Sequence, residues 1–179
     1  MGKQLDSLTP KLIEFIEAQK LFFVGTARSD GRVNLSPKGM DTLRVVNENK
    51  IVWLNLTGSG NETAAHLLEN NRMTMMFCSF DDKPLILRLY GKATMYHSND
   101  AAFENYNSWF GNPRGARQII ELDFDLVQTS CGFGVSIMKF VEERPTLTNW
   151  TQNKNDDEIK EYWKKRNSIS LDGHDIPIK

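Results

Sequence analysis

Asn55-Leu56-Thr57-Gly58-Ser59-Gly60-Asn61-Glu62-Thr63 carries the chain out of an apolar, β-rich run (residues 51–56) and into a helical pattern marked by Ala64, Ala65, Leu67 and Leu68. A glycine-containing turn at a helix start leaves backbone N–H groups unpaired and carries the positive end of the helix dipole, so it suits a phosphate. Thr57, Ser59 and Thr63 add hydroxyl donors. The spacing alone leaves two readings open: a phosphate cradle, or a plain strand-to-helix turn capped by Thr57 or Asn61. The turn is neither a P-loop, for it lacks Gly-Lys-[Ser/Thr], nor a dinucleotide fingerprint, for it lacks the third glycine. That directs the fold away from a doubly wound parallel sheet.

A second polar stretch lies on a strand upstream, Arg32-Val33-Asn34-Leu35-Ser36-Pro37-Lys38-Gly39. Lys38 could supply the turn with the full positive charge it lacks; a solvated lysine at a strand end fits the spacing equally. Pro37 removes one ladder donor, so this strand must break or lie at a sheet edge.

The surrounding chain reads as a strand meander interrupted by helices. Thr9-Pro10 opens a helix whose apolar stripe is Leu12, Ile13, Phe15 and Ile16. Residues 21–27 and 32–36 are strands joined by a hairpin turn, Ser29-Asp30-Gly31-Arg32. Residues 42–46 and 51–56 pair across Asn47-Glu48-Asn49-Lys50, and 73–80 and 85–96 are longer strands. Residues 101–110 form a helix stopped by Gly111-Asn112-Pro113, and 118–129 return as strand. From about residue 142 the chain becomes a polar tail with one helix, 156–166, carrying Ile159, Tyr162 and Trp163. This order lacks the regular βαβ alternation of a parallel sheet. It predicts a mainly β, α+β protein: an antiparallel Greek-key or meander barrel with several peripheral helices, in a single domain spanning 1–179.

Composition narrows the function. The 179 residues are 40% hydrophobic and 25% charged, ordinary for a globular protein, and the formal net charge of −1 offers no basic field for nucleic acid or an anionic membrane. No apolar run approaches the roughly 18–20 residues of a membrane span, and the N-terminus lacks a secretory pattern. Cys78 and Cys131 are too few for a disulfide framework, which points to reduced thiols and a cytoplasmic protein. His66, His97 and His174 have no metal-ligand spacing among themselves or with the cysteines, so no metal site is expected. No Ser–His–Asp set can be constructed. Cys131 reads as a buried inert thiol, His66 as a helix-surface or capping residue, and Trp53, Phe77, Phe80 and Tyr90 as core. No catalytic residue is assigned.

Four motifs in order carry a resemblance: residues 30–42 (Asp-Gly-Arg-Val-Asn-Leu-Ser-Pro-Lys-Gly-Met-Asp-Thr), 56–63, Met76-Phe77-Cys78-Ser79-Phe80, and Leu87-Arg88-Leu89-Tyr90-Gly91-Lys92-Ala93. Together they resemble the pyridoxamine 5′-phosphate oxidase-like family of FMN-binding split β-barrels, over roughly residues 11–135; Ser130-Cys131-Gly132-Phe133-Gly134-Val135 is similar to a segment common in one subgroup. The resemblance implies a homodimer with FMN in clefts at the subunit interface, the Cys131-Gly132-Phe133 segment coming from the partner. It implies contacts to the isoalloxazine and ribityl groups from Arg32, Val33, Asn34, Ser36 and Lys38. It places the phosphate on Thr57, Gly58, Ser59, Gly60, Asn61 and Thr63.

Three departures separate the chain from true pyridoxamine phosphate oxidases. Glu62-Thr63 stands where their Arg-Lys phosphate pair lies, an apolar residue near Ile86 replaces a glutamine, and their C-terminal substrate segment has no clear counterpart. A phosphorylated substrate needs a second donor cluster, and none is visible. The expected function is thus an FMN-dependent oxidoreductase not acting on vitamin B6. The alternative is a non-catalytic flavin or haem carrier or sensor on the same barrel, and a deazaflavin is a variant of the cofactor.

Overall fold

The structure, a computed structural model, describes residues 2–179. Eight strands form one antiparallel sheet: β1 (Gln4–Leu5), β2 (Phe22–Thr26), β3 (Asn34–Lys38), β4 (Leu43–Asn47), β5 (Lys50–Leu56), β6 (Arg72–Cys78), β7 (Ile86–His97) and β8 (Ala116–Ser130). Their order is β3-β2-β6-β7-β8-β5-β4, with β1 added to the far end of β8. Five helices lie around the sheet: α1 (Pro10–Ala18), α2 (Glu62–Leu67), α3 (Ala101–Ser108), α4 (Thr146–Gln152) and α5 (Asp156–Arg166). The protein is mainly β and of the α+β class, as its sequence predicts.

The sheet is curled. β2 and β5 are four strand spacings apart, about 19 Å if the sheet were flat. Yet the rings of Phe22 on β2 and Trp53 on β5 meet edge-to-face with centroids 6.3 Å apart, and Phe22 stacks on Phe77 at 5.8 Å. The interior they share also holds Val24, Met75, Leu87, Leu89, Ile120 and Leu122, all buried. Burying this apolar surface from both ends of the sheet is what rolls it into a barrel. β3 and β4, the two ends of the strand path, share no ladder among the described residues, so the barrel is split there.

Pro37 lies on the edge strand β3, where its missing N–H forfeits no second ladder. The long partners β7 and β8 form the spine, in register from Ile86↔Ser130 to His97↔Gln118 with one bulge at Tyr90/Gly91. A Cβ on Gly91 would lie 2.0 Å from the Asp123 carbonyl oxygen, so the bulge requires glycine.

Several local expectations change. Thr9 precedes Pro10 as the N-cap, but its hydroxyl makes no capping bond; its carbonyl instead accepts from the N–H groups of Leu12 and Ile13. Pairing of β2 with β3 stops at Thr26↔Asn34, so the connection is a seven-residue loop, not a tight hairpin. Gly31 does take a positive φ (84°), but the Asp172 carboxylate draws the Arg32 N–H (2.8 Å) and guanidinium outward. β1 and α4 appear where sequence pattern gave nothing. Two residues assigned to the surface or the core are the reverse. His66 is buried, with Nδ1 3.0 Å from the Thr26 hydroxyl, and Cys131 is exposed.

Candidate functional site

At the split, a cavity of about 500 Å³ opens between β3, β5, the turn of residues 57–61 and the start of β8. The fold builds it from residues far apart in sequence. Asn34 and Ser36 point inward from β3, and Asn34 Nδ2 donates to the Thr63 hydroxyl of α2 at 3.3 Å. Lys38, last on the same strand, reaches over Trp53 of β5, its Nζ 4.9 Å from the ring centroid. Burial first, and the nearby Arg117 second, push the Lys38 ammonium down to about 8.

Arg117 comes from β8 and is only 4% exposed. Its Nε donates to Gln118 Oε1 (3.2 Å), and its Nη1 donates to the Gly60 carbonyl (3.0 Å) and to Asn167 Oδ1 (2.5 Å). All three acceptors are neutral. Neither Arg117 nor Lys38 enters an ion pair among the described residues. Two desolvated cations thus face one cavity with no carboxylate between them. A buried cation is costly unless an anion joins it, so the donor set suits an anionic ligand group.

Asn61 adds a neutral donor. It is buried, its Oδ1 accepts from Asn55 Nδ2 at 3.4 Å, and its own Nδ2 has no partner among the described residues. Asn55 Nδ2 also donates to Gln118 Oε1 at 2.8 Å. A network therefore runs from Asn61 through Asn55 and Gln118 to Arg117, and it fixes which face of the Asn61 amide meets the cavity. An orphaned buried donor beside two unpaired cations is what a phosphate would complete.

The glycine turn itself is only partly available. Thr57 donates its hydroxyl to the Gly115 carbonyl at 2.9 Å and accepts from the Trp163 indole N–H at 2.8 Å, so its donor is spent on the fold. Gly58 offers its carbonyl to Asn167 Nδ2 at 3.1 Å. Ser59 and Gly60 are exposed, and their N–H groups have no backbone partner among the described residues. α2 has only six residues, so its dipole is short and the side-chain cations dominate the field.

Of the sequence-derived residues, Asn34, Ser36, Lys38, Thr57, Gly58, Ser59, Gly60, Asn61 and Thr63 all line the cavity. Arg32 and Val33 do not. Arg32 turns to Asp172, and Val33 is 75% exposed. The sequence reading missed Arg117, Asn55, Trp53 as a wall, and the buttressing pair Trp163 and Asn167. The available sign of Arg117 was a lone basic residue near the head of a strand segment that turns apolar two positions later, Ala116-Arg117-Gln118-Ile119-Ile120. Nothing in the spacing ties residues 163 and 167 to a turn more than a hundred positions earlier.

Glu62 is the one carboxylate in this wall, and both its oxygens accept from the Leu171 N–H (3.1 and 3.2 Å). It serves the fold. The histidines also stand away from the cavity lining.

Residues 8–131, more than two thirds of the chain, match the sequence profile of the family described as pyridoxamine 5′-phosphate oxidase. The chain belongs to that family. A pyridoxamine 5′-phosphate oxidase family protein of Aspergillus flavus, ustO, is 39% identical over 188 residues, covering 94% of this chain and 75% of its own. Among solved structures, HupZ of Group A Streptococcus is similar with a TM-score of 0.56 at 18% identity, over 67% of this chain and 91% of that one. An FMN-binding protein from Syntrophomonas wolfei is similar with a TM-score of 0.52 at 16% identity, over 72% and 89%. At such identities these likenesses bear on the fold, the split barrel. Trp163 and Asn167, which brace the turn, lie outside the matched family region. No helix among the described residues is long and apolar enough to cross a membrane.

Proposed function

We propose that the protein is a flavoprotein that binds FMN and acts as an FMN-dependent oxidoreductase. The observation that carries this reading is the convergence of Lys38, Arg117 and the Asn61 Nδ2, unpartnered among the described residues, on one cavity where the carboxylate in the wall, Glu62, is engaged by the Leu171 N–H and pairs with neither cation. The cofactor's phosphate would lie among these groups and the free N–H groups of Ser59 and Gly60. Asn34 and Ser36 would meet the ribityl hydroxyls and ring polar atoms from β3, and Trp53 would wall the inner end. When bound, FMN supplies the capacity to accept and return hydride or single electrons. The chain's part is to hold the phosphate, orient the ring and limit water. No acid or base of the chain is assigned a proton-transfer step.

The molecule is proposed to work as a homodimer with the cofactor at the subunit interface. β3 is an edge strand carrying exposed Leu35, with exposed Val33 just before it, and the segment after β8 exposes Phe133, Ile137, Met138, Phe140 and Val141. Apolar surface of this extent beside an unpaired strand edge suits a second copy. Two free cysteines, one exposed, suit a reducing compartment and hence the cytoplasm.

The test compares FMN with riboflavin, which lacks the phosphate. FMN should raise the melting temperature strongly and riboflavin only weakly. Equal stabilisation by both would remove the phosphate site and this reading with it.

A further inference from the structure

We propose that a second cavity, of about 620 Å³, takes a neutral aromatic molecule as the flavin's reaction partner. It shares Gly39, Met40, Thr57, Gly58, Ser59 and Leu147 with the first cavity, so its occupant lies directly beside whatever the first one holds. The partner's role rests on the flavin reading; the binding of the molecule does not.

The two cavities differ in chemistry. Where the first has two unpaired cations, the buried Arg117 and the half-buried Lys38, the second is walled by Phe140, Leu147, Trp150 and Tyr162. Trp150 and Tyr162 are half-buried, and they lock each other edge-to-face with centroids 4.9 Å apart. Lys154 sits 5.2 Å above the Trp150 ring and pins it from the side. Fixed aromatic faces of this kind gain most from a flat apolar ligand, by area burial and ring–ring contact together.

Charge sets the remaining requirement. The rim carries Lys20 and Arg144 against Glu142 and Glu143, two of each sign, and Lys20 is already engaged over the Phe140 ring at 5.7 Å. That rim offers no net field to an ion and no buried donor cluster to a second phosphate, so a phosphorylated pyridine is a poor occupant. The aromatic wall comes from residues 140–162, outside the matched family region of 8–131. Substrate choice would therefore reside in the C-terminal segment and not in the barrel.

The test uses the whole 179-residue chain loaded with FMN and three probes: 1-naphthol, the anionic 1-naphthoate with the same ring system, and pyridoxamine 5′-phosphate. Saturation-transfer NMR reads probe binding, and flavin absorbance after gel filtration reads retained cofactor. The expected result is that 1-naphthol binds without displacing flavin, and that naphthoate and pyridoxamine 5′-phosphate bind at least tenfold more weakly. Trp150→Ala should weaken 1-naphthol at least tenfold. Thr146→Trp, an exposed position on the cavity wall, should block it while the fold persists. One-for-one displacement of FMN would mean the cavity is the cofactor's own ring slot and would overturn the proposal. So would tighter binding of naphthoate, no binding of 1-naphthol, or binding indifferent to both variants. If FMN fails to load but 1-naphthol binds as described, the flavin reading fails and the aromatic site stands.

Discussion

The indole N–H of Trp163 donates to the hydroxyl of Thr57 at 2.8 Å, joining the C-terminal helix to the glycine turn across 106 positions of sequence. Asn167, one turn later, bonds both the Gly58 carbonyl and the Arg117 guanidinium. The tail also supplies Ile176 against Ala64 and Ala65 of α2, and Asp172 against Arg32. The cavity's shape therefore depends on a segment outside the barrel. Trp163→Phe keeps most of the buried ring but deletes the bond, and should cost about 1 kcal/mol of stability. It should also weaken FMN several-fold, read by flavin fluorescence titration. Unchanged affinity would mean the turn holds its shape without the tail.

The Lys38 ammonium makes no hydrogen bond or ion pair among the described residues, and its charge is desolvated beside Arg117. Lys38→Met should therefore raise the apo protein's stability at pH 7, by about 1 kcal/mol, while lowering FMN affinity at least tenfold. Chemical denaturation and FMN titration read the two effects. Loss of both stability and affinity would contradict the assignment of Lys38 as an uncompensated cation.

The same residue sets a pH dependence. Its folded value, about 8, lies below the ordinary lysine value of 10.5, so the unfolded chain binds more protons between those two values. Apo stability should accordingly rise with pH through that window. An anion in the cavity restores the ammonium, so ligand binding takes up a proton above pH 8, and affinity falls as pH rises through that value. Below about pH 6 a phosphate monoester loses its second charge. FMN affinity should then peak between about pH 6 and 8, and Lys38→Met should flatten the alkaline side. A profile with the same alkaline fall in the variant would assign it to another group.

Arg117 holds three acceptors in a fork, so a lysine cannot replace it. Arg117→Lys should lose at least tenfold in FMN affinity despite the retained charge, and it should destabilise the apo protein by roughly 1–3 kcal/mol through acceptors left unpaired. Wild-type affinity in this variant would leave the guanidinium with no part in the site.

Gly91 tests the spine. A methyl group there meets Asp123 and Phe124 backbone atoms at 2.0–2.5 Å, none of which can move without opening the β7–β8 ladder. Gly91→Ala should lower stability by about 3 kcal/mol or more, measured by urea unfolding. A loss under about 1 kcal/mol would show that the bulge relaxes.

What could be read from the sequence is what local pattern determines. Alternation and turn residues gave the order of the main strands, helix 156–166 with its Asn155 capping box matched the expected bounds, and Pro37 marked an edge. The face of the site carried by contiguous residues, from Asn34 to Lys38 and from Thr57 to Thr63, was legible for the same reason. Groups whose roles come from tertiary placement were not. Arg117 becomes a cavity cation only because β8 pairs with β5, and Trp163 and Asn167 matter only because the tail folds back. His66 lies inside because α2 presses its inner face on β2, and Cys131 lies outside because it follows the last ladder pair. Asp172 holds Arg32 away from the cavity from 140 residues away.

The most direct test measures FMN and riboflavin affinities side by side, in the wild type and in Lys38→Met/Arg117→Met, by quenching of flavin fluorescence at pH 7. The wild type should favour FMN by at least a hundredfold, and in the double variant the two affinities should come within a few-fold of each other. A preference for FMN that survives removal of both cations would contradict the account.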